Sequence, residues 1–186
     1  MKKLGAFSKP VAWLIVIAVI VVAVLGIGGI KLNAKYNNAL KTFKSATNTP
    51  NSNGSTFESD FTEALSYAAP IEACAARVLG KHDAAVRLTE CYNAANASRG
   101  NAAKGYPAIM ELYAAVTNAY DVIKLNDADA ANEIAPAVSN FRSDYHRITF
   151  SYAAAYAQYK DAIDALAGGF PASLLRKIWG IGNEAE

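Results

Sequence analysis

Acidic residues are missing from the start of this chain. Residues 1–44 hold seven of its 18 Lys and Arg and none of its 16 Asp and Glu, a charge of +7, which leaves −5 for the rest. Histidine and cysteine are scarce, with two of each. His82 and His146 are too few for most zinc sites unless carboxylates complete the set. No Glu is followed three residues later by His, which excludes the paired-metal motif of carboxylate bundles. Gly-x-Ser-x-Gly, the phosphate loop and the dinucleotide glycine pattern are all absent, which argues against a hydrolase or a nucleotide enzyme. No cysteine precedes Cys74, so there is no lipobox. No segment alternates with period two, so no sheet is expected. These absences predict a protein without catalytic activity and without a cofactor. The mildly acidic remainder has no basic stripe, which sets nucleic acid aside as a partner.

What is present begins with "VAWLIVIAVIVVAVLGIGGI", residues 11–30, twenty residues without a charge. As a helix this run is about 30 Å long, the thickness of a bilayer's hydrocarbon core. It is longer than the apolar region of a signal peptide and leads into further helical sequence, so an uncleaved single-span anchor is expected. Residues 1–10 form a basic tail. Lysines lie on both sides of the span, so the positive-inside rule is nearly balanced. A short tail before an uncleaved span matches a signal anchor, with the N-terminus in the cytoplasm and the remainder exported. Lys31 and Lys35 then stand at the membrane interface, where basic side chains meet anionic head groups. Gly26, Gly28 and Gly29 cluster near one end of the run without Gly-x-x-x-Gly spacing.

Residues 45–56, "SATNTPNSNGST", have the composition of a loop. Ser55 and Glu58 make a capping box for the helix that follows. Its apolar face reads Phe57, Phe61, Ala64, Ala68, Ile71, Ala75 and Val78, at spacings of three and four. Pro70 is expected to kink it, and the stripe loses phase near Gly80. Residues 56–98 are then either one long rod or two helices. In a single rod Cys74 and Cys91 lie about 25 Å apart and no bond between them is possible. A reversal at Gly80 would let them meet, and an exported domain would permit the disulfide. Otherwise both are small buried residues.

Two later helices are written in sevens. Tyr106, Tyr113 and Tyr120 recur with Ile109, Val116 and Ile123 three after each. Tyr145, Tyr152, Tyr159 and Leu166 repeat the pattern with Ile148, Ala155 and Ala162. Both are heptad seams, which predict an antiparallel pair with a ring opposite an alanine. His146, beside the Tyr145 seam, is read as a surface or boundary residue. Asp127, Asp129 and Glu133 suit the positive end of a helix and lack the glycine and spacing of a calcium loop. The fold class is therefore all-α, a single N-terminal transmembrane helix followed by an elongated antiparallel four-helix bundle over residues 31–167. In an up-and-down bundle the fourth helix ends beside the membrane. Residues 168–186 follow as an amphipathic tail, "GGFPASLLRKIWGIGNEAE". Arg176, Lys177 and Trp179 suit the membrane interface; alternatively Phe170 and Ile178 close the end of the bundle core.

The two ends of the chain resemble LemA proteins. The basic N-terminus, the span and Tyr36-Asn37 are similar to the start of that family. Tyr152 and Tyr159, seven apart, then Phe170-Pro171, Leu174-Leu175 and Trp179-Gly180-Ile181 resemble its end. The chain departs where the family has Asn after each of those tyrosines, since Ala153 and Lys160 stand there, and the linker to Phe170 is longer. Only Lys81-His82-Asp83 faintly matches the family's acidic and Arg-rich motif. The resemblance covers about the first 45 and last 35 residues and implies a bacterial membrane-anchored four-helix bundle. With the surplus of Tyr and Ala seams, it leads to the expectation of a self-associating scaffold at the bacterial cell membrane. Its expected partners are membrane lipids, further copies of itself and other membrane or envelope proteins. The alternative is an extracytoplasmic sensor or ligand-binding accessory module, which predicts a pocket between the Tyr-lined helices.

Overall fold

A computed structural model describes the backbone of residues 9–167 and of Lys177, and most side chains from residue 28 to 165. Between residues 9 and 27 the side chains described are those of Trp13, Ile17, Ala18, Val19 and Gly26. The described residues are all-helical: α1 Lys9–Asn48, α2 Phe57–Leu79, α3 Asp83–Ala97, α4 Ala102–Asn126 and α5 Ala128–Ala167. Among them no helix is long and apolar enough to cross a membrane. Most side chains of the expected span, residues 11–30, lie outside the described set, as do Arg176, Trp179 and the rest of the tail except Lys177.

Residues 56–98 are two helices, not one rod. Gly80 adopts φ +57°, a left-handed conformation that glycine takes without a Cβ penalty, and its N–H closes α2 on the carbonyl of Ala76. His82 then caps α3, its Nδ1 accepting from the Ala84 N–H at 3.1 Å. Cys74 and Cys91 are nonetheless both free and buried, as small core residues, so the disulfide that a hairpin allows is not present. At the start of α2 the cap falls one residue later than the sequence pattern suggests. Thr56, not Ser55, accepts from Ser59 N–H. Glu58 is thereby free to accept from the Gly100 N–H at 2.9 Å, which holds the α3–α4 turn against the start of α2. Helix α1 also runs further than expected, to Asn48, so the loop shortens to residues 49–56.

By contacts the chain forms two units, Met1–Lys41 with Tyr159–Glu186, and Thr42–Gln158. In the second unit α2 to α5 make the antiparallel four-helix bundle. The pairs Phe57–Tyr152 and Arg77–Glu133 run in opposite order along α2 and α5. Tyr106–Tyr156 and Tyr113–Tyr145 do the same for α4 and α5. The four bundle helices are thus one step later in the chain than the sequence reading placed them, because α2 and α3 divide at Gly80. The last turn of α1 joins this unit through Phe43, packed edge-on against Tyr156 at 5.8 Å. Phe61, Leu65, Ile71, Leu88, Ile109, Leu112, Val116, Ile123, Phe141 and Ile148 are all fully buried in its core. Each such side chain contributes about 1.5–3 kcal/mol relative to exposure. Helix α2 continues through Pro70, as α4 does through Pro107 and α5 through Pro136.

In the first unit the rings of Tyr36 and Tyr159, both buried, meet at 6.3 Å between centroids. Lys160 and Asp164 pair along α5 at 2.6 Å.

Candidate functional site

Asp60 is the least expected residue of the core. It lies on the inward face of α2 between Phe57 and Ala64 and is 0% exposed. A carboxylate in that position requires partners. Arg147 of α5 supplies the charge: its Nε lies 3.0 Å from Oδ1 of Asp60, a close ion pair whose alignment is not that of a hydrogen bond. Asn51 donates from Nδ2 to the other oxygen of Asp60 at 3.0 Å. The Asn51 Oδ1 in turn accepts from the N–H groups of Asn53 and Ser55, so one side chain both shapes the 49–56 loop and satisfies the buried acid.

Arg147 is shared three ways. Its Nη2 donates to Glu63 at 2.7 Å and lies 3.0 Å from Oδ1 of Asp144. One guanidinium therefore faces three carboxylates, a local excess of negative charge that reaches from the buried Asp60 and Asp144 to the exposed Glu63 where α2 and α5 meet. Burial, first, with Glu63 and Asp60 nearby, pushes Asp144 up to about 6, against the pull of Arg147. The buried Oδ2 of Asp144 has no hydrogen-bond partner. The phenol of Tyr152 sits above the cluster, 3.5 Å from the Ser55 carbonyl, and burial and then Asp60 raise its pKa. Chemically this is a partly buried cluster of ion pairs that ties α2, α5 and the loop together. Among the described residues no group of His, Cys, Asp and Glu is arranged to hold a metal ion.

The tyrosine seams are placed differently from the ring-on-alanine expectation. Tyr113 stacks on Tyr145 at 3.9 Å and Tyr106 on Tyr156 at 4.4 Å, so rings meet rings. Tyr156, one residue past the seam position Ala155, supplies the ring that meets Tyr106. Tyr120 lies under the Lys124 ammonium and the Arg142 guanidinium. Tyr152 turns to Phe57 of α2 and Tyr159 to Tyr36 of α1. His146 is exposed, with its ring against Tyr113 and Tyr145. Asp127 caps α5, accepting from the Ala130 N–H at 2.9 Å. Lys31, Lys35 and Lys177 are exposed.

A groove of about 430 Å³ runs between α3 and α4, with Cys91, Ala94, Ala97, Pro107 and Ala108 along it and Lys104 and Glu111 at its edge. Burial raises the pKa of the Cys91 thiol.

The buried cluster escaped the sequence reading because its members come from distant segments: residue 51, residues 60 and 63, and residues 144 and 147. One signal was available, since Asp60 and Asp144 each fall in the inward-facing phase of an apolar stripe. Comparison with protein-family models, with curated proteins and with solved structures found no match.

Proposed function

We propose that this protein is a membrane-anchored, LemA-like helical scaffold that self-associates and holds partners at a bacterial cell membrane, without catalysis. The observation that carries the reading is the outer surface of α1. Trp13, Ile17 and Val19 are 69%, 51% and 62% exposed, within twenty residues that contain no charge. Exposed apolar side chains within an uncharged run of that length are stable only when something apolar covers them, and a bilayer matches the length of the run. The exposed Lys31 and Lys35 follow directly, placed to meet phosphate head groups. On this reading the bundle lies on the extracytoplasmic side, and Arg176, Lys177 and Trp179 rest at the interface. Its partners are lipids, copies of itself and other envelope proteins.

The burial of Cys74 and Cys91 makes them poor reporters of topology. Leu125, 87% exposed on α4, is a better site. In a chain with both native cysteines replaced by Ala, Leu125→Cys is expected to react with a membrane-impermeant maleimide in intact cells. Reaction only in opened cells would reverse the orientation. Release of the protein from membranes by alkaline carbonate would sink the anchor itself.

A second reading, a ligand-binding accessory module, would use the α3–α4 groove, which lies apart from the Tyr-lined α4–α5 seam expected to hold a pocket. That reading requires a bound small molecule in native mass spectra of the purified protein, displaced by Ala94→Trp. A bare mass for the wild type removes it.

A further inference from the structure

Helices α2 and α5 lie side by side and share an outer face whose charges are self-complementary. Two ion pairs cross between them there, Arg77–Glu133 at 2.8 Å and Arg147–Glu63 at 2.7 Å. On each helix the two charged residues are about four turns, or 21 Å, apart. Because the helices are antiparallel, each level presents one cation on one helix and one anion on the other. Arg77, Glu133 and Glu63 keep 60%, 66% and 47% of their side-chain surface exposed, and Arg147 keeps 25%. Between the two levels the outward positions carry no charge: Ser66, Pro70 and Ala73 on α2, and Pro136, Asn140 and Ser143 on α5, all exposed. Their small side chains let another backbone approach closely.

We infer that this face docks a second copy of the same chain about a twofold axis running along the helices. The inference rests on the self-association proposed above and names its surface. Rotation about such an axis sets α2 of one copy against α5 of the other while keeping every residue at its level. Glu63 then meets the second copy's Arg147, and Arg77 meets its Glu133, so each ion pair becomes a four-charge square with alternating signs. Among the exposed charges no like pair is brought opposite; Asp60 and Asp144, which also pair with Arg147, stay buried behind that level. A twofold across the helices also matches the wild-type signs, but it sets position 77 against Glu63 of the second copy. A charge exchange at 77 and 133 would then weaken self-pairing of the exchanged chain, which separates the two axes. The face between the squares covers on the order of 400 Å² per copy, about half of a standard interface. Association is therefore weak in dilute solution and favoured by confinement to a membrane, which raises effective concentration.

The test is a charge exchange, Arg77→Glu with Glu133→Arg, which preserves the intramolecular pair and the self-complementarity. Full-length wild-type and exchanged chains, labelled with donor and acceptor dyes, are reconstituted in lipid vesicles at a series of protein-to-lipid ratios. Circular dichroism and melting verify that the exchanged chain folds as the wild type does. Each chain is expected to associate with itself to a similar degree. The mixture of the two, which opposes Arg to Arg and Glu to Glu, is expected to associate about fivefold or more weakly. Ala73→Arg, at an exposed position in the middle of the face, is expected to abolish energy transfer. Equal association in the mixture, or full transfer in Ala73→Arg, overturns this face and leaves self-association standing. A wild-type chain that stays monomeric at every ratio overturns the self-association reading as well.

Discussion

Asp60 on α2 and Arg147 on α5 lie 3.0 Å apart, and the carboxylate is closed off from solvent while the guanidinium is a quarter exposed. This asymmetry makes the arginine the member that cannot be removed. Asp60 depends on it and on Asn51, whereas Arg147 has two further carboxylates. Arg147→Met is expected to strand a buried charge and cost about 3–5 kcal/mol. Asp60→Asn, which keeps a hydrogen-bonding group opposite Asn51, should cost distinctly less. Urea unfolding followed by circular dichroism gives both numbers, and equal losses would refute the asymmetry.

Asp144 sets a pH dependence with a definite sign. Its folded-state value of about 6 lies above that of a free aspartate. The folded state therefore holds a proton that the unfolded state has released. Between pH about 4 and 6 stability falls as pH rises, and the loss is complete above the folded value. Asp144→Asn should raise stability at pH 7 on the order of 2 kcal/mol and flatten the slope through that window. A variant that keeps the wild-type slope would place the titrating group elsewhere.

Asn51 joins loop geometry to the buried acid, accepting two backbone N–H bonds and donating one to Asp60. Asn51→Ala is expected to destabilise by about 1–3 kcal/mol, the cost of leaving a buried acceptor without its donor. It should also open residues 49–56 to limited proteolysis. Unchanged cleavage kinetics would show that the turn holds without the side chain.

Gly105 leaves little room for a side chain. A Cβ there would stand 3.2 Å from the Phe57 ring and 3.4 Å from Phe61. Gly105→Val is expected to lower stability by about 1–3 kcal/mol through overpacking of α4 against α2. An exposed control such as Asn118→Val should move the melting temperature far less.

The sequence by itself determined the helices and much of their punctuation. The apolar stripe from Phe57 to Ala75 is the buried face of α2, and Asp127 opens α5 as its position before a periodic run suggests. These features are local: a helix closes its hydrogen bonds within four residues, and its caps lie within one turn. The phase loss at Gly80 was visible too, but whether the chain reversed there depended on α3 finding α2 and α4 to pack against. Only the tertiary structure decided that Tyr113 stacks on Tyr145, that Tyr159 turns to Tyr36, and that Asp60, out of place in its stripe, is answered by Arg147, 87 residues later on α5. Heptad spacing fixes which side of a helix is buried. It does not fix which neighbour covers that side, since antiparallel registers that differ by one heptad bury the same residues.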